Sequence, residues 1–274
     1  MNNLVPFVKR ALQTSVIVIS IATALTGYGG GGGSDGAVQN AQHHESDDIV
    51  VPHDEKFRGR TYADWEASFW QWALALPANG PLPHPFNDCT RRPISAAQTG
   101  GVWYWSAPDM PGQICDQRAT TIPPGTAIFL TMLDVEASSL DAQPFFATTA
   151  DEQRQIATSF ANYISDLFCT IDGRSVMNIT TFRTLTEQFS FFAPTPWVFN
   201  KVGGKGTAVG DGYFLMLEPL SPGEHTIHYG GTFHIPGGVL GPDPVNIPKD
   251  VTLCLRVGRE KNDKTVGSVV SCHA

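Results

Sequence analysis

The chain has 274 residues, 18 Lys and Arg against 26 Asp and Glu, and a formal charge of −8. That balance excludes electrostatic attraction to nucleic acid or to an anionic lipid surface, so neither is expected as a partner. A hydrophobic content of 42% with sixteen Phe excludes a wholly disordered chain and supports a globular body with a real core.

The start is basic, ending in Lys9-Arg10, and leads into the apolar run Val16 to Ala22, then Leu25-Thr26-Gly27-Tyr28, five consecutive glycines and Ser34. This reads as an export signal over 1–27 followed by a flexible Gly-rich and polar linker over 28–57. Loss of Lys9 and Arg10 with the signal would move the formal charge from −8 to −10. Leu25-Thr26-Gly27 with its Gly/Ser tract resembles the lipobox of bacterial lipoproteins, whose fourth residue is the cysteine that receives the lipid. Tyr28 stands there instead, and a phenol cannot replace the thiolate. The resemblance therefore implies a lost anchor, with Ala22-Thr23-Ala24 as a small-x-small cleavage site and a periplasmic or secreted destination. The linker carries His43, His44, Asp47, Asp48, His53, Asp54 and Glu55, metal-capable residue types that a solvated segment explains more simply, since ordering such a segment opposes binding.

Residues 58–274 read as a single globular β-rich domain. Thr61-Tyr-Ala-Asp64 looks like a capping box opening a Trp-rich helix that Pro77 stops. Tyr62, Trp65, Phe69, Trp72 and Leu76 form one aromatic stripe, with Trp70 and Leu74 on an adjoining flank and Glu66 between. A carboxylate in that arc must pair, protonate or face a cavity, and an arginine partner is the plain expectation. Beyond the Pro/Gly-rich 77–124 region, which Gly101 to Ser106 interrupts as a strand, Gly125 to Val135 predicts a buried strand ending at Asp134 and Glu136. Thr149 to Glu152 predicts the cap of a second helix whose face is Ile156, Phe160, Tyr163 and Leu167.

After Cys169 the period switches to two. Asp172-Gly173 signals a tight hairpin, and Phe189 to Phe192 and Tyr213 to Leu217 predict strands. The glycine-rich 198–212 stretch between them reads as a mobile connection, without the spacing of a phosphate-binding loop. Val251 to Val257 and Val266 to Ser271 predict a terminal hairpin. Leu220 to Gly230, a turn and then a strand opening Gly-Glu-His, resembles a recurring stretch of immunoglobulin-like bacterial β-sandwich domains. The Trp-rich helix followed by Gly101-Val-Trp is similar to uncharacterised exported bacterial proteins. The immunoglobulin-like resemblance implies a β-sandwich-like core; with the two helices read above, the expected fold is mainly β, α+β, with both helices packed on that core, and neither resemblance carries an activity with it.

In an exported chain the cysteines predict disulfides Cys89–Cys115 and Cys254–Cys272, leaving Cys169 as a buried small hydrophobe. His225, His228 and His234 are the metal candidates. His225 and His228 project to opposite faces of one strand, so no metal site and no cofactor is expected. The sequence has no G-x-S-x-G elbow and no H-E-x-x-H. Trp70, Trp103 and Trp105 exceed what one strand and one helix flank need for packing, and predict an aromatic cleft for a small molecule or glycan, with Glu66 and His228 as polar contacts. The competing expectation is an extracellular hydrolase or lyase using Glu66, Asp134, Glu136 or His228 as acid or base.

Overall fold

Thr61 sets the start of helix α1 (Tyr62–Leu74). Its hydroxyl accepts from the Asp64 amide, and the Asp64 carboxylate accepts from the Thr61 amide at 2.9 Å, a closed capping box. The protein is described by a computed structural model that covers residues 49–259 and Cys272. The expected export signal, the glycine tract and the strand expected at 266–271 lie outside the described residues. The folded body begins earlier than the expected boundary at residue 57. Val51 N–H donates to the Met216 carbonyl at 2.9 Å, and His53 Nε2 meets Thr184 Oγ1 at 3.1 Å.

Ten strands build two sheets. β1 (Val102–Trp105), β3 (Ala127–Ser138), β8 (Gly204–Leu217) and β6 (Arg183–Leu185) lie in that order, and β7 (Phe189–Ala193) also pairs with β8. The second sheet runs β2 (Gln113–Ile122), β10 (Val245–Val257), β9 (Gly223–Ile235), β4 (Ile164–Ile171), β5 (Arg174–Ser175). β1 with β3 and β2 with β10 are parallel; the other pairs are antiparallel. Helix α2 (Ala150–Ala161) packs on β3 and β8. The protein is thus a mainly β, sandwich-like α+β fold with two helices.

The β3–β8 sheet is the middle layer. On one side Trp105 Nε1 donates to the Tyr229 hydroxyl of β9 at 2.9 Å. On the other, α1 lays Tyr62 against Phe129 (6.1 Å between ring centroids) and Phe69 against Phe214 (5.8 Å). Burial on both faces explains why β3 and β8 read as continuous apolar runs, whereas β9 alternates, with Ile227 and Tyr229 inward and His228 outward.

Three elements differ from expectation. α2 ends at Ala161, so Tyr163 and Leu167 belong to the next turn and to β4 rather than to a helical face. β3 runs through Asp134 and Glu136 to Ser138 instead of stopping at them. The expected mobile connection is strand from Gly204 onward, and at Gly203, Gly206, Gly210 and Gly212 a Cβ would stand within 3 Å of a neighbouring atom. A Cβ on Gly210 would stand 2.5 Å from Glu66 Oε1 and 2.6 Å from Trp70 Nε1. The Asp172-Gly173 turn forms as expected, both residues at positive φ (50° and 79°).

Both disulfides are present, Cys89–Cys115 and Cys254–Cys272, with Cα separations of 5.4 and 6.0 Å. They fit an oxidising environment. Cys169 is a buried free thiol whose pKa burial pushes up to about 12. Among the described residues no helix is long and apolar enough to cross a membrane.

Candidate functional site

β1 pairs with β3 only over Ala127 to Leu130, and the next contact on that edge is the Ser138–Phe146 bridge. Between them β3 has a window in its edge, and Asp134, Val135 and Glu136 look into it. The chain leaving β1 through Ser106 to Asp109 borders the window instead of filling it. The resulting cleft is narrow: the centre of a water-sized sphere can move through about 50 Å³ of it, and part of it opens to solvent.

Its walls are aromatic. Trp70 comes from α1, Phe160 from α2, Phe233 from β9, and Phe86, Phe145 and Phe199 from connecting segments. Phe86 stacks on Phe199 at 6.0 Å, Trp70 meets Phe86 edge-on at 5.9 Å, and Phe145 lies 4.5 Å from Phe160. Rings from different elements lock one another in this way and fix the shape of the walls.

Four carboxyls line the same cleft, Asp109, Asp134, Glu136 and Asp141. Asp109 is neutralised by Lys249, whose ammonium lies 3.1 Å away and whose side chain is 1% exposed. Ser138 Oγ donates to Asp141 at 2.7 Å. Asp134 Oδ2 and Glu136 Oε2 are closed off from solvent and have no hydrogen-bond partner among the described residues. Burial pushes the Asp134 pKa up to about 8, Lys249 pulling against it and Asp109 adding to it. Glu136 is raised well above the carboxylate range, first by burial and then by Asp141 beside it. Behind the cleft Glu66 is fully buried, and neither of its oxygens has a partner among the described residues. Burial raises its pKa well above the usual range, with Asp134 and Asp211 adding to the rise. Among the described residues no arginine pairs with Glu66. The nearby guanidinium, Arg183, is spent on Asp211 through two hydrogen bonds of 2.9 Å. The ion pair expected for Glu66 is therefore not found among the described residues, and burial favours the protonated form of its carboxyl.

The structure brings Trp70, Asp134 and Glu136 to one place, with Glu66 directly behind. Trp103 and Trp105 are buried elsewhere, at 9% and 4% exposure, and do not line this cleft. His228 lies on the outward face of β9, paired with Asp250 at 2.8 Å and remote from the carboxyls. His225 pairs with Asp172 and His234 with Asp166, so the three histidines serve three separate acids. Among the described residues no group of three or more metal-ligating side chains converges.

Sequence reasoning missed Asp109, Asp141, Lys249 and the Phe walls. Lys249 was within reach: on β10 it shares parity with Ile247, Val251, Leu253 and Leu255, all core-facing. Asp109 and Asp141 sit in irregular chain, where no period marks them. No protein-family model, no curated protein and no solved structure matches this chain.

Proposed function

We propose that this is an exported protein, periplasmic or secreted, that binds a small molecule or the end of a glycan in the aromatic cleft at the edge of β3. The observation that carries the reading is the meeting, in one concavity, of aromatic walls from α1, α2 and β9 with buried carboxyl oxygens that no protein group satisfies. Acids with strongly displaced pKa values cluster at functional sites, because a fold with no use for them would be more stable with apolar residues there. The two disulfides and the acidic chain support export. So do the resemblance of the leader to a lipoprotein signal and that of the Trp-rich helix region to exported bacterial proteins. The similarity of the 220–230 stretch to immunoglobulin-like domains adds nothing about the ligand.

The test is a ligand-observed magnetic-resonance screen of sugars, alcohols, amines, carboxylic acids and small aromatics, repeated on Phe199→Ala and Trp70→Phe. Compounds that bind wild type and lose about fivefold or more in affinity on either wall substitution support the site, since each wall ring contributes on the order of 1 kcal/mol. Binding indifferent to both substitutions would remove the cleft from consideration.

A second reading is a hydrolase or lyase with Glu136 as proton donor, favoured by the neighbouring Asp141, which helps hold Glu136 protonated. It differs in outcome: Glu136→Gln would abolish turnover and keep binding.

A further inference from the structure

We propose that the cleft takes an organic cation, an ammonium group on a short apolar body, with Glu136 and Asp134 as its counter-charge. The inference rests on the reading of the cleft as a ligand site and names the chemistry of its occupant. Aromatic faces attract a cation through the negative charge over the ring, and six such rings bound this space. Glu136 is 5% exposed and lines the cleft, yet its Oε2 has no partner among the described residues; Asp134 Oδ2 is in the same condition. Each is an acceptor, or a charge, waiting for a donor. An ammonium supplies donors and charge together.

The charges facing the pair favour the same choice. Asp109 and Asp141 line the cleft with them, and Glu66 of α1 and Asp211 of β8 lie behind. Against these stand two cations, Lys249 of β10 held by Asp109 and Arg183 of β6 held by Asp211. An anionic ligand would find both cations already held by acids and would oppose the ionisation of Glu136 and Asp134 in a low-dielectric space. A neutral ligand would leave the acids protonated and could exchange hydrogen bonds with them, but would gain no charge–charge attraction.

Proton balance follows. In the free protein burial, and then Asp141 beside it, favours the protonated form of Glu136. When an ammonium enters, the carboxyl O–H bond breaks, the carboxylate stays with the cation, and one proton goes to solvent. Affinity therefore rises with pH as ionising the acids becomes less costly, through about 8 for Asp134, until the amine itself begins to deprotonate near the lysine value of about 10.4.

The experiment is calorimetry of the disulfide-intact protein with n-butylammonium, 1-butanol and butyrate, three probes of one size that differ in charge. Each is run in two buffers of different ionisation enthalpy at pH 6 and pH 8. The expected result is butylammonium bound at least about tenfold more tightly than 1-butanol at pH 8, weaker at pH 6, and releasing a proton; butyrate does not bind. Glu136→Gln removes the preference for the cation. Asp134→Asn is the second variant should the first fail to fold, and it reduces the preference. Equal or tighter binding of 1-butanol, or no proton release with bound butylammonium, overturns the cation while leaving the cleft a ligand site. If none of the three binds and the broader screen also yields no compound sensitive to Phe199→Ala, the ligand reading falls with it.

Discussion

Gly210 has no side chain because two others already occupy the space above it, Glu66 Oε1 at 2.5 Å and Trp70 Nε1 at 2.6 Å from where a Cβ would sit. Glu66 in turn has no room to seek an ion pair, being fully buried between α1 and β8. The missing methyl thus lets α1 approach the sheet closely enough to seat Trp70 in the cleft wall. Gly210→Ala is expected to destabilise the protein by about 1–3 kcal/mol, the usual cost of overpacking. A urea titration measures this as a lowered midpoint with unchanged slope. Adding Glu66→Ala should return part of the loss by vacating one of the two clashes. If Gly210→Ala proves neutral, the contact is looser than the geometry states. The residues that set this contact were half visible beforehand. The 3.6-residue period placed Trp70 on a flank of α1 and Glu66 between that flank and the aromatic stripe, but nothing local revealed that a glycine in a stretch resembling a loop lay opposite.

At the scale of elements, the cleft depends on a segment with little regular structure. The 77–100 stretch carries Phe86 to the Trp70 and Phe199 rings and is pinned to β2 by Cys89–Cys115, which spans a sequence separation of 26. Chain-entropy arguments assign such a loop roughly 3 kcal/mol, with the mechanism model-dependent. The paired substitution Cys89→Ala with Cys115→Ala should therefore cost about 2–4 kcal/mol in denaturant unfolding. It should also weaken any ligand of the cleft more than it perturbs β9 and β10, which hydrogen exchange resolves strand by strand. An unchanged unfolding midpoint would show that packing alone holds the segment. Elements with a period were readable in advance: α1 with its cap, the β4–β5 turn and the alternating β9. Those buried on both faces, β3 and β8, lost their period, so their true lengths were hidden and the window between β1 and the Ser138 bridge could not be foreseen.

For the whole molecule, the cleft acids set how stability responds to pH. Asp134, Glu66 and Glu136 hold protons in the folded state that the unfolded chain releases near pH 4. The folded form binds more protons across that interval, so stability falls as pH rises, beginning near pH 4 and continuing through about 8 for Asp134. His225 and His234 act in the same sense: their carboxylate partners raise both, and that contribution is present below about 6.5 and fades as pH climbs through the folded value. Carboxyls held low by their partners, such as Asp172 with its His225 hydrogen bond, oppose this only at the acid end, where they must be protonated. The stability maximum should accordingly lie on the acid side of neutrality. Asp134→Asn should flatten the fall between pH 4 and 8 by on the order of a few kcal/mol at most. Unfolding curves at pH 4.5, 6, 7.5 and 9 on wild type and Asp134→Asn measure this, and coincident curves would mean that Asp134 ionises freely through the mouth of the cleft. An ammonium in the cleft would act as the mutation does. By giving the ionised carboxyls a partner it would stabilise the folded form most where the empty protein is weakest, above pH 8.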